Sequence, residues 1–244
     1  MNTAAFVLAA GRGERMRPLT DTTPKPLLTV KGVSLLEGLL SRLGQSGVPT
    51  AWVNTAWLGD QIDARLADPI AGWPQVTLSR EGQDFGHALE TAGGIARCLE
   101  ALPDVFWVCA ADIWSPDFRF QANAVEKFRK GSTLAHIWLV PNPAHHPKGD
   151  FWLGPDGLAQ PQESMRHPSA ECLTYSTIGL FKRALFQTPW LDIDTGNPQG
   201  VRAPLGPLLK LAAHQGLVSA ERYEGEWVDV GTPARLADLN KDMQ

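Results

Sequence analysis

The densest chemistry in this chain of 244 residues sits in Gly11-Arg12-Gly13-Glu14-Arg15-Met16-Arg17, followed closely by Thr23-Pro24-Lys25-Pro26-Leu27. The two glycines come after an apolar run, Ala4 to Leu8, and the pair Ala9-Ala10. Glycines at such a strand end let backbone N–H groups turn inward around phosphate oxygens, where a β-carbon would obstruct them. Arg12, Arg15 and Arg17 crowd the turn with positive charge. Lys25 stands between prolines that restrict the backbone on either side, so its ammonium is carried on a stiff segment. Together these residues suit a nucleoside triphosphate and a phosphate under attack. A dinucleotide fingerprint is excluded, because its third glycine position is occupied by Met16.

A second chemical feature is Asp112, which follows the apolar run Val105 to Cys109 and so places a carboxylate at a strand end. Further elements must bring it to the glycine turn. Ala4 to Leu8 reads as a buried strand, and Leu35, Leu36, Leu39, Leu40 and Leu43 recur at helical spacing until Gly47 and Pro49. Strands are predicted over 51–54, 76–79 and 105–109, with helices around Leu58, Ile62 and Leu66 and over 93–102. This alternation predicts an α/β, Rossmann-like three-layer fold with a mixed, mostly parallel sheet between helices. Ligands of such sheets sit at the carboxyl ends of the strands, where the glycine turn and Asp112 both emerge.

Residues 141–168 are rich in proline, glycine and histidine, with a strand signal only at 151–153, so an irregular lobe over the sheet is predicted there. A strand over 174–181, a helix over 204–214 and a short helix from Leu236 complete the expectation of one domain.

The formal charge of -4 and the scatter of lysines and arginines among acids exclude nucleic acid as the main partner. Cys98, Cys109 and Cys172 show no C-x-x-C spacing, so neither a zinc site nor a disulfide framework is expected, and reduced thiols in a cytoplasmic protein are. The apolar start lacks a basic flank and runs into Arg12, which does not suit a signal peptide, and no stretch suits a membrane span. The expected partners are small molecules, and the expected state a monomer or small homo-oligomer.

Gly11, Gly13, Arg15, Pro24, Lys25 and Pro26 reproduce the pattern G-x-G-x-R…P-K-P, and the chain resembles the sugar-1-phosphate nucleotidyltransferases. The resemblance implies their GT-A-like fold, with a nucleotide-binding part over about 1–115, a sugar-binding part over about 116–232, and no additional acyltransferase or regulatory domain. It implies attack by a sugar 1-phosphate oxygen on the α-phosphorus of a nucleoside triphosphate, with pyrophosphate leaving and no covalent enzyme intermediate. Ala9, Ala10, Gly11 and Gly13 would line the nucleotide, Lys25 would meet the α-phosphate and Arg15 the leaving pyrophosphate. Asp112 would hold Mg²⁺ together with Asp229, whose setting Glu226-Trp227-Val228-Asp229-Val230-Gly231-Thr232 matches the family's second acidic motif. Two carboxylates completed by phosphate oxygens and water suit that ion. Glu81, Glu90, Thr91, Ala92 and Gly93 correspond to the base-recognition segment, and Gly149, Asp150, Glu163, Thr177 and Gly179 to places where relatives bind the sugar.

Leu89-Glu90-Thr91, Asn142-Pro143-Ala144-His145-His146 and Gly149-Asp150-Phe151 are especially similar to the bacterial N-acetylmuramate 1-phosphate uridylyltransferases of cell-wall recycling. That similarity implies UTP as the nucleotide and a sugar bearing a lactyl carboxylate. The chain departs from the wider family at Glu163-Ser164, where many relatives carry Glu-Lys, so the sugar phosphate needs another cation. Arg202, Lys148 and Arg166 are available. His145 and His146 read as a polar loop rather than metal ligands. Mannose, glucose or heptose 1-phosphate with GTP, CTP or dTTP stays open, as do a non-catalytic nucleotide-sugar sensor and a phosphocholine cytidylyltransferase with an aromatic cage of Trp57, Trp152 and Tyr175.

Overall fold

The structure is a computed structural model, and it describes residues 3–164 and 170–241. Its first part comprises β1 (Ala4–Leu8), β2 (Thr29–Val30), β3 (Val33–Ser34), α1 (Leu35–Gln45), β4 (Thr50–Thr55), α2 (Gly59–Arg65), β5 (Gln75–Arg80), α3 (Glu81–Phe85) and α4 (Glu90–Cys98). There follow β6 (Val105–Ala110), β7 (Ile113–Trp114), α5 (Ala122–Lys130), β8 (Ala135–Val140), β9 (Phe151–Leu153) and β10 (Ala159–Pro161). The chain then forms β11 (Glu171–Lys182), α6 (Leu205–His214), β12 (Val218–Arg222), β13 (Val228–Asp229) and α7 (Pro233–Asn240).

One nine-stranded sheet runs β10-β9-β11-β6-β1-β4-β5, with β8 on β11 and β12 on β8. β6, β1, β4 and β5 are mutually parallel, as the strand–helix alternation requires. The direction changes at β11, which is antiparallel to both β6 and β8. The sheet is therefore mixed: parallel through β6, β1, β4 and β5, antiparallel around β11 and β9, and parallel again between β8 and β12.

Side-chain alternation along β1 builds two cores. Ala4 and Phe6 join one with Ile95 of α4, Leu208 and Leu209 of α6, and Phe106 and Phe181. Ala5 and Val7 join the other with Leu36, Leu39, Leu40 and Leu43 of α1, Phe128 of α5, and Trp107. α1 starts where Ser34 and Glu37 form reciprocal capping hydrogen bonds of 3.2 and 3.1 Å, which satisfy two otherwise orphan N–H groups. The carboxyl ends of β1, β4 and β6 consequently point the same way.

Several predicted elements differ from the observed ones. The helix expected over 93–102 is α4, which starts three residues earlier and ends at Cys98. The lobe after Pro141 contains the antiparallel pair β9–β10 as well as loops. α5, β8 and β12 were not anticipated, because each is completed by packing across the sheet: β12, for example, pairs with β8 in parallel along Val218 to Arg222.

Candidate active site

The carboxyl ends of β1, β4 and β6 open into a cavity of about 610 Å³ whose wall includes Ala9, Ala10, Gly11, Lys25, Asp112 and Thr91. Its frame is a chain of buried hydrogen bonds. Ala9 N–H donates to Asn54 Oδ1 at 2.8 Å, Asn54 Nδ2 donates to Glu81 Oε1 at 2.9 Å, and Leu89 N–H donates to Glu81 Oε2 at 2.7 Å. This joins the end of β1 to the start of α4 beneath the cavity floor. Glu81 has no exposed surface, and burial pushes its carboxyl upward against the pull of the Leu89 N–H and the Asn54 amide. Expected on the nucleotide base, Glu81 lies behind the wall.

Lys25 occupies the short 3₁₀ turn Lys25–Leu27, with only 7 % of its surface exposed, and its Nζ donates to Asp112 Oδ2 at 2.6 Å. Gly13 has φ of 66°, and a Cβ there would lie 3.0 Å from Thr20 Cγ2 and 3.2 Å from Lys25 Cβ. Gly13 thus acts by letting the turn pack against Lys25, whereas Gly11 faces open space. Arg15, expected on the leaving pyrophosphate, is exposed on the 3₁₀ turn Glu14–Met16 and does not line the cavity. The turn rolls it outward and brings Arg12 to the wall instead.

The backbones of Asp112 and Asp229 adjoin through strand pairing, and of the two carboxylates Asp112 lines the cavity whereas Asp229 lies outside its lining. β13 lies antiparallel to β7 with Asp229 opposite Ile113, and Val230 N–H donates to Asp112 O at 3.1 Å. The Asp229 carboxylate accepts from Arg235 Nη1 at 2.7 Å, and His145 Nε2 lies 3.4 Å away. Arg235 also donates to His145 Nε2 at 3.0 Å. Neither Arg235 nor His145 was assigned a role from sequence; the available signal was an arginine in the first turn after the Thr232 cap, six residues beyond Asp229. Among the described residues no three His, Cys, Asp or Glu side chains gather as a metal cage. Carboxylate oxygens on adjoining segments are the donor chemistry that a hard cation takes when its other ligands come from phosphate and water.

On the opposite wall, Glu90 adopts φ of 63° and accepts from Arg202 Nη2 at 3.0 Å. Thr177, with φ of 62°, reaches the cavity where β11 changes register between Tyr175 and Gly179. Two non-glycine residues in left-handed backbone therefore face one cavity, a conformation the surroundings must impose. Ala92 and Gly93 turn their N–H groups to Ala203 O at 2.9 and 3.1 Å, so these amides fasten the segment bearing Arg202 and are not directed at a ligand. A Cβ on Gly93 would lie 2.5 Å from Val201 O. Asn197, fully buried, reinforces the strap by donating to Gly93 O and Val201 O at 3.0 and 2.9 Å.

The expected sugar residues divide. Thr177 and Arg202 line the cavity; Gly149, Asp150, Glu163 and Gly179 do not. Asp150 Oδ2 accepts from Tyr175 N–H at 2.8 Å and its Oδ1 lies 3.0 Å from His146 Nε2, so the carboxylate braces the loop. Gly149 leaves no room for a side chain, since a Cβ would sit 2.8 Å from both Asn142 Oδ1 and Leu173 O. Glu163 is exposed and pairs with Lys210 at 3.0 Å. Gly179 is a packing glycine inside the sheet, with Phe181 Cε2 2.7 Å from a Cβ built there. Lys148 is exposed outside the cavity, and Arg166 lies outside the described residues. Of the three aromatics considered for a cage, only Trp57 lines the cavity.

Residues 5–156 match the model of the MobA-like NTP transferase domain. The chain is 41% identical over 240 residues to an N-acetylmuramate alpha-1-phosphate uridylyltransferase of Neisseria meningitidis, covering 96% of this chain and 95% of that protein. It is 33% identical over 244 residues to a protein of the same name from Caulobacter vibrioides, covering 96% and 94%. The crystal structure of HddC from Yersinia pseudotuberculosis superposes with a TM-score of 0.73 at 16% identity, covering 99% of both chains. No helix among the described residues is long and apolar enough to cross a membrane. The glycine turn, the Lys25–Asp112 pair at the strand ends and these likenesses agree: the chain belongs to the MobA-like NTP transferase family and is a nucleotidyltransferase.

Proposed function

We propose that this protein transfers the uridylyl group of UTP to N-acetylmuramate 1-phosphate, releasing pyrophosphate and forming the UDP-sugar, in the cytoplasm. The observation that carries the chemistry is Lys25 Nζ at 2.6 Å from Asp112 Oδ2 in the cavity beneath the glycine turn. Likeness over nearly the full chain to the two uridylyltransferases supports the substrate pair.

Both reactants are anions, so the chain's work is to align them and neutralise charge that builds on the α-phosphate. Lys25 supplies an ammonium at that phosphate once its contact with Asp112 is exchanged. The attacking phosphate is already ionised, and no side chain needs to remove a proton. Ala9, Ala10 and Gly11 offer a floor without bulky side chains, and Glu90 and Thr91 form the wall beside the base. Asp112 and Asp229 would hold Mg²⁺, which when bound supplies positive charge to phosphate oxygens. Arg202, released from Glu90, is the cation for the sugar's phosphate or lactyl carboxylate, in place of the lysine absent at Ser164. The nucleotide part over about 1–115 and the sugar part over about 116–232 then act as one unit across the cavity.

A pyrophosphate-release screen of the four nucleoside triphosphates against several sugar 1-phosphates tests the reading. The expected result is fastest release with UTP and N-acetylmuramate 1-phosphate. Faster release with glucose or mannose 1-phosphate overturns the sugar assignment, and no release with any pair overturns the activity.

A further inference from the structure

The outer phosphates of a bound nucleotide call for a cation in the cavity wall, and Arg12 lines that wall whereas Arg15 is exposed outside it. We infer that Arg12 is that cation and that Trp57 is the positioning residue that holds it toward the cavity, an inference that rests on the nucleotide reading above. The Arg12 guanidinium carbon lies 3.4 Å from the centroid of the Trp57 ring. Arg12 Nη1 donates to Thr20 O at 3.2 Å, and Trp57 Nε1 donates to the same carbonyl at 2.9 Å. A single oxygen therefore fixes both partners of the stack.

Electrostatics separates Arg12 from the other permanent cations of the wall. Lys25 contacts Asp112 at 2.6 Å and Arg202 contacts Glu90 at 3.0 Å, both carboxylates of the cavity itself. The carboxylate paired with Arg12 is Asp21, at the longer distance of 3.6 Å, and Asp21 is also bound by Arg17 Nε at 2.7 Å. Stacking covers one face of the guanidinium and leaves donors on its edge, the geometry that suits paired phosphate oxygens. Arg12 is one-third exposed and follows Gly11, where nothing within 4 Å of a built Cβ restricts a ligand's approach. The indole is itself placed by the left-handed residue Leu58, with φ of 51°, at the entry to α2.

The role makes a distinction that a structural clip would not, because Arg12 would read the outer phosphates and leave the nucleoside monophosphate untouched. Isothermal titration with UTP and with UMP, in Mg²⁺ and without sugar phosphate, measures this on the intact protein. Arg12→Ala is expected to weaken UTP at least tenfold and change UMP less than twofold, and Arg12→Gln to do the same should the alanine variant fold poorly. Trp57→Ala is expected to weaken UTP severalfold with UMP unchanged, and Trp57→Phe, which keeps a ring under the guanidinium, to restore most of it. Equal losses for the two nucleotides, or no loss for either, assign Arg12 and Trp57 to structure and overturn the inference. Absence of UTP binding by the unaltered protein would instead bring down the nucleotide reading itself.

Discussion

Lys25 Nζ and Asp112 Oδ2 are 2.6 Å apart, although 87 positions separate them in the chain. The cation proposed for the phosphate and the carboxylate proposed for the metal thus neutralise one another across the cavity wall. The same holds at Asp229, whose partner is Arg235 at 2.7 Å. Binding of a metal and a nucleotide exchanges partners within a set of charges already balanced, which avoids burying an uncompensated ion.

Lys25→Ala is expected to lower turnover by about 10²-fold or more, the effect of losing one preorganised donor to a developing charge. The fold should persist in circular dichroism. Because the change releases Asp112, divalent-cation affinity measured with Mn²⁺ by electron paramagnetic resonance should hold or increase. Unaltered turnover would remove Lys25 from the chemistry.

Asp112→Asn and Asp229→Asn should each abolish turnover at low Mg²⁺ and weaken Mn²⁺ binding, since an amide supplies an oxygen without its charge. Titration of activity and of the Mn²⁺ signal on the same variant checks both. Full activity at low Mg²⁺ would exclude that residue from the metal site.

N-acetylmuramate 1-phosphate should be preferred over N-acetylglucosamine 1-phosphate by about tenfold or more in kcat/KM, the two differing by the lactyl carboxylate. A charge-assisted hydrogen bond contributes about 1.5 to 3 kcal/mol. Arg202→Ala should shrink the preference by impairing the muramate substrate most. Equal use of the two sugars by the unaltered enzyme would defeat the cell-wall assignment, while an unchanged preference in the variant would transfer the role from Arg202.

Glu81→Gln should destabilise the fold by about 1 to 3 kcal/mol, because both Glu81 oxygens accept hydrogen bonds and an amide must turn a donor toward one of those donors. The pH dependence has a definite sign. Burial raises the folded-state pKa of Glu81, so between the ordinary carboxylate range and that raised value the folded protein binds more protons than the unfolded chain. This group's contribution therefore falls as pH rises through that window. Urea unfolding at several pH values should show this component in the natural protein and lack it in the glutamine variant.

The parts most legible in sequence are those whose residues act locally. The apolar run at Ala4 to Leu8, the leucine stripe of α1 and the strand preceding Asp112 each carry their own periodicity, and all three form where they were expected. Lys25, Asp112, Thr91 and Arg202 reach one cavity from a 3₁₀ turn, the end of β6, the start of α4 and the segment fastened to α4. Arg15 and Arg12 were harder to tell apart, since the roll of one 3₁₀ turn decides which of two neighbouring guanidiniums faces inward. Glu81 and Asp150 are carboxylates in suitable motifs, and only the structure shows that backbone N–H groups of Leu89 and Tyr175 occupy them. Pairing over long sequence distance, as between Asp229 and His145, leaves no periodic trace.

The short ladder between β7 and β13 has a consequence for when this protein becomes an enzyme. During synthesis the glycine turn, Lys25 and Asp112 all leave the ribosome well before Val228 and Asp229, and α7 with Arg235 follows later still. Contacts between distant parts of a chain form late, after the loops between them have closed. A nascent chain can hence shape much of the floor proposed for the nucleotide while the second acidic group proposed for the metal is still missing. In the finished molecule, fraying of those two residue pairs would part the Asp229 backbone from its neighbour strand and leave the parallel strands in place, so with Asp229 as the proposed metal ligand, activity is expected to be lost before the fold on mild heating.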